Sequence, residues 1–104
     1  MLKLVYFVPF EGLEQTKAAA FAAGAGTQDH YSQVCWQTKG MGQFLPMTNA
    51  NPSIGRCHQL TQIEEYRVEM LCSEDSIKTV INAIIKAHPY ERPAIEFWRV
   101  TVID

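Results

Sequence analysis

From Leu2 to Val8 almost every position is apolar: Leu2, Leu4, Tyr6 and Val8 fall on one side, Val5 and Phe7 on the other. A run of that length with both sides apolar predicts a strand covered on both faces. Pro9 ends it, and EGLEQTKAAAFAAGAG follows. Acids at its start, alanines through its middle and glycines at its end predict a helix that Gly24 and Gly26 stop. Its inward stripe is Leu13, Thr16, Ala20 and Ala23. Tyr31 to Thr38 is rich in β-formers, with Val34 and Trp36 on one face, and GMG is expected to turn the chain into QFLPM. TNANPSIGRCHQL then shows neither period and predicts a long excursion, a kind of loop that is functional or covers a partner.

Glu65 to Leu71 alternates cleanly, with Tyr66, Val68 and Met70 inward and Glu65, Arg67 and Glu69 outward. Ser73 is the expected N-cap of a second helix, with Glu74 and Asp75 in its first turn. Ile77, Val80, Ile81, Ile84 and Ile85 mark an amphipathic helix through Ala87. HPYERP breaks it, because Pro89 cannot continue a helix and restricts His88 as well. Ala94 to Ile103 is the last expected strand, with Trp98, Val100 and Val102 on one face.

The order β-α-β-β-α-β predicts an α+β, ferredoxin-like fold: an antiparallel sheet with both helices on one face. The other face then carries Tyr6 or Phe7, Trp36 and Trp98, too many rings to leave in water on a monomer. Either the central loop or another subunit is expected to cover them.

With 104 residues the expectation is one domain spanning 1–104. A charge of −2 and scattered basic residues give no footprint for nucleic acid. The β-α-β-β-α-β order also occurs in RNA-recognition modules, but EEYRVEM carries carboxylates where those need basic residues beside aromatics. No apolar stretch is long enough to span a bilayer, and MLKLVYFVPF lacks a cleavage site, so no membrane or leader is expected. Three cysteines without CxxC spacing suit reduced thiols in a cytoplasm.

Two stretches carry a family resemblance. YSQVCWQTKGMGQFLP, NANPSIG and IEEYRVEM form one, and AHPYERPAIEFWRV the other. Together they resemble the domain inserted in the Nif-three-like dinuclear-metal-centre hexameric proteins, and the short bacterial proteins made of that domain alone. HPYE after a second helix also looks like the CutA proteins, which are related in architecture to the PII signalling proteins. The resemblance implies the same CutA/PII-like fold and a trimeric homo-oligomer. It also implies that the metal ligands of the larger proteins lie in flanking domains outside these residues. The chain departs from the family pattern at Cys57-His58, where a glycine-containing pair is expected.

HPYERP offers His88, Tyr90 and Glu91 on a rigid loop, types that suit a divalent metal or a ligand. The alternative is a helix stop whose side chains pin the last strand or a neighbouring subunit, and this is the reading preferred here. Cys57 and His58, with His30 or Cys35, are the types for a soft-metal site, although adjacent residues on an extended chain point apart. Cys35 and Cys72 read as small buried hydrophobes. No nucleophile motif or phosphate loop is present, and GMG and GAG read as turns.

The expectation is therefore a non-enzymatic, self-assembling module for an unnamed small ligand or protein partner, with no cofactor. Its candidate ligand residues are Asn51, Pro52, Gly55, His88, Tyr90 and Glu91. The alternative is a divalent-metal protein using His88 with Glu91 or Cys57 with His58. In the loop, Ile54 is expected to be an anchor, and Gly55 to take positive φ or to let another chain approach closely.

Overall fold

A computed structural model describes residues 1–103 and contains β1 (Leu2–Val8), α1 (Phe10–Ala22), β2 (Trp36–Phe44), β3 (Thr61–Cys72), α2 (Ile77–Ala87) and β4 (Ile95–Arg99). The strands form one antiparallel sheet in the order β2-β3-β1-β4, the ferredoxin-like arrangement read from the sequence.

The core lies between this sheet and the two helices. Leu2, Leu4, Tyr6 and Val8 of β1 and Val68, Met70 and Cys72 of β3 are buried against Leu13 and Ala20 of α1 and Ile77, Val80 and Ile84 of α2. Thr16 is a polar member of this interior. Its hydroxyl accepts from the Tyr6 phenol at 2.9 Å and donates to the Gly12 carbonyl at 2.8 Å, so strand and helix are joined without an orphaned group. Burial of Tyr6 pushes its phenol up to about 12, and it stays a neutral donor.

Gly24 and Gly26 end α1 with φ of 116° and 79°, conformations that favour glycine. Ala23, half-buried, packs against the core as the fourth residue of the expected stripe.

Several boundaries differ from the sequence reading. β2 begins only at Trp36, because the chain first folds back on itself: the Val34 amide donates to the Gly26 carbonyl at 2.8 Å, and Asp29 and Gln33 take positive φ. GMG is no turn. Gly40, Met41 and Gly42 pair in register with Glu65, Glu64 and Ile63, inside the strand. Ser73 does not cap α2. Its carbonyl accepts the Ser76 amide in a preceding turn, and the helix starts at Ile77. β4 stops at Arg99, after which the Val100 amide donates to the Met1 carbonyl at 3.1 Å.

β3 is longer than its clean alternation suggested, and this shapes the molecule. β1 covers it only from Tyr66 onward, so residues 61–65 pair with β2 alone. Twelve residues at roughly 3.3 Å each extend a strand about 40 Å. The outer halves of β2 and β3 form a two-stranded arm, consistent with extents of 48 × 23 × 23 Å.

Candidate binding cavity

The register assigns each side chain to a face. Lys3, Val5 and Phe7 of β1 share the helix-free face with Trp98, with Leu71, Glu69, Arg67 and Glu65, and with Trp36. Trp36 and Trp98 on this face are 68% and 44% exposed, so the central loop leaves that end open.

At the other end the face becomes a cavity of about 610 Å³. Phe7 of β1, Phe44 of β2, Met47, Pro52 and Ile54 of the central loop and Tyr90 of the HPYERP loop supply its apolar walls. The charged groups that line it are Glu65, Glu91 and Arg92. A second hollow of about 330 Å³ adjoins it along β2, and Phe7, Gly42 and Glu65 border both.

His88 builds the floor from behind. One ring nitrogen, Nε2, lies 2.6 Å from the Phe7 carbonyl and donates to it; Nδ1 accepts the Tyr90 amide at 3.1 Å. Both nitrogens therefore serve the chain's own backbone, and burial holds the imidazole below its ordinary pKa. The ring pins the end of β1 and the start of the next loop, where a contact to the last strand or to a neighbouring subunit was expected. Tyr90, so placed, donates its phenol to Glu65 Oε2 at 2.7 Å. Burial and this neighbouring carboxylate push the Tyr90 pKa well above the ordinary tyrosine range.

The central loop is held down by its own hydrogen bonds and by one clamp. The Ala50 amide donates to Met47 and the His58 amide to Pro46, at 3.0 and 2.6 Å. The Asn51 amide donates to Glu91 Oε1 at 3.2 Å and joins loops forty residues apart. Gly55 turns the chain with φ of 87°, one of the two roles expected of it, and a Cβ there would lie 2.6 Å from Thr61 Oγ1.

Of the residues singled out from sequence, Pro52, Tyr90 and Glu91 line the cavity, while Asn51 and His88 position its walls. Gly55 shapes the loop from outside. Cys57 Sγ points at the Ala50 carbonyl at 3.5 Å, and the His58 ring lies 3.0 Å from the Thr48 hydroxyl. Among the described residues no three His, Cys, Asp or Glu side chains gather as a metal site. Glu65 and Gly42 escaped the sequence reading, although the alternation of β3 had already turned Glu65 to the helix-free face.

No family model matches the chain. It is 41% identical over 98 residues to the GTP cyclohydrolase 1 type 2 homolog of Bacillus subtilis, covering 94% of this chain and 26% of that protein. It is 40% identical over 96 residues to the Mycobacterium tuberculosis protein of the same name, covering 92% and 25%. The chain spans about a quarter of the length of these curated relatives and is homologous to that segment of them. The crystal structure of a Bacillus cereus protein related to NIF3 superposes with a TM-score of 0.81 at 33% identity, over 93% of this chain and 24% of that one. CutA1 from Pyrococcus horikoshii matches with a TM-score of 0.64 at 14% identity, over 100% and 87% of the two chains. GlnK of B. subtilis gives 0.62 at 11%, over 96% and 84%. These last two show a shared fold.

Proposed function

We propose that this chain is a non-enzymatic module that assembles with copies of itself and binds a small ligand or partner in the cavity between its two motif loops. The observation that carries the reading is convergence. NANPSIG and HPYERP are far apart in sequence, yet the Asn51–Glu91 clamp ties them together and both wall one cavity. Its volume of about 610 Å³ suits a small-molecule site, as does its lining of apolar side chains with a few polar groups.

The cyclohydrolase activity in the relatives' name describes proteins of which this chain spans about a quarter, and the reading assigns it elsewhere in them. His88, the loop's imidazole, spends both ring nitrogens on backbone groups, which supports a structural task for it.

Self-assembly, as the trimer that the CutA and PII resemblance implies, is supported by the open end of the sheet. Trp36 and Trp98 stand half to two-thirds in water there, and β2 and β4 are both free edges. Three free thiols, Cys35, Cys57 and Cys72, fit a reducing compartment such as the cytoplasm.

Trp36 and Trp98 are the chain's two tryptophans, so fluorescence reads this face directly. In the assembled protein their emission should be blue-shifted and resist acrylamide quenching. Trp98→Glu should return the remaining indole to a water-exposed spectrum. Fully exposed emission from the native protein at every concentration would remove the assembly from the reading.

A further inference from the structure

We infer that the cavity selects a small organic cation, an ammonium or guanidinium head on an apolar body, with the head seated on Glu65. This rests on the cavity being the binding site and goes further, naming the chemistry of what enters it.

Glu65 is half-buried on the cavity wall and, among the described residues, no cation lies within 4.0 Å of its carboxylate. The nearby basic side chains are already used. Lys39 pairs with Glu64 at 3.3 Å, and Arg67 pairs with Glu69 at 3.5 Å while lying over the Phe7 ring. One carboxylate oxygen, Oε2, accepts from Tyr90, whose raised pKa keeps it a neutral donor. The other, Oε1, lies over Gly42, where a Cβ would collide with it. Glycine at that strand position is what lets the carboxylate fold onto the sheet at the junction of the two hollows.

A partly desolvated carboxylate without a counterion is a poor neighbour for an anion and a strong one for a cation. Glu65 and Glu91 together outweigh Arg92, so the charged lining is net negative. A nucleoside phosphate would bring several negative charges against two carboxylates and one guanidinium. An organic cation meets the opposite situation. Phe7, Phe44 and Tyr90 present rings in the same cavity, which attract a cation through their faces and an apolar body through burial.

Three probes of one shape separate charge from fit: phenethylamine, phenethyl alcohol and phenylacetate, titrated into the ¹⁵N-labelled protein at neutral pH. The amine should bind at least tenfold more tightly than either of the others, with shifts centred on Gly42, Glu65, Ile54 and Tyr90. Glu65→Gln keeps an acceptor for the Tyr90 phenol and should abolish the preference for the amine over the alcohol. Gly42→Ala should weaken the preference by displacing the carboxylate with no change of charge. Equal binding of all three probes at these residues would overturn the selection of a cation and leave the cavity as the site. Shifts at none of these residues with any probe would overturn both. An amine preference that survives Glu65→Gln would show that the head sits elsewhere, and would overturn the assignment to Glu65.

Discussion

His88 shows how much one side chain can organise. Its donor and acceptor nitrogens hold the Phe7 carbonyl and the Tyr90 amide, and that geometry needs a neutral ring. Burial lowers its folded pKa below the ordinary 6.5, so on acidification the unfolded chain takes up this proton first. The contribution of His88 is therefore complete above pH 6.5 and declines as pH falls from there toward the lowered folded value. In urea unfolding at about pH 7.5 and about pH 5.5, His88→Gln should lose stability mainly at the higher pH and flatten the difference between them. An unchanged pH dependence would contradict the role. Gly12 is a second residue-scale test. Alanine there gains about 1 kcal/mol of helix propensity. Its Cβ would lie 2.7 Å from Pro89 Cδ and 3.0 Å from Val8 Cγ2. Overpacking costs roughly 1–3 kcal/mol, so a net loss on the order of 1 kcal/mol is expected in the same urea experiment. A stabilised variant would mean that α1 can shift outward freely.

At the scale of elements, the core strands and helices were legible because their periodicity reports burial that each element imposes locally. The alternation of Tyr66, Val68 and Met70 and the Ile77, Val80, Ile81 and Ile84 stripe of α2 landed on the core side as read, while Ile85, expected with them, is exposed. The arm was not legible. GMG has turn composition, and what makes Gly40 and Gly42 strand residues is pairing with a β3 half that lies beyond the clean alternation. Gly42 is glycine because the Glu65 side chain occupies its space, a contact across strands that no local pattern carries. The central loop was legible through its turn formers, and Ile54 does line the cavity, although half-buried rather than fully enclosed. Ile54→Ala should accordingly cost the fold less than the roughly 2–5 kcal/mol of a fully buried site. Gly55 is the sharper probe. Alanine at φ of 87° meets Thr61 Oγ1 at 2.6 Å, in a backbone region that costs an L-residue about 1–2 kcal/mol. Gly55→Ala should speed hydrogen exchange in residues 45–60 while leaving β1 and α2 protected, since the loop lies outside the core. Uniformly faster exchange across the protein would show that loop and core unfold as one unit.

For the whole molecule, the fold leaves one face of the sheet partly uncovered. The helix face of the sheet is closed by α1 and α2, whereas the opposite face closes only at the cavity end. Isolated two-stranded ribbons are marginal in water, and the arm extends past β1 with pairing on one side only. The excess of rings was readable from sequence; which rings the loop covers was not, because that depends on where the arm carries it. Phe7 and Phe44 face the cavity, and Trp36 and Trp98 remain exposed. Copies meeting through this face would also bring further chain near the cavity mouth, linking assembly to binding. Multi-angle light scattering at micromolar protein tests that claim most directly. The account predicts a single species of three copies of 11.8 kDa, about 35 kDa, and a lone 11.8 kDa species would contradict it.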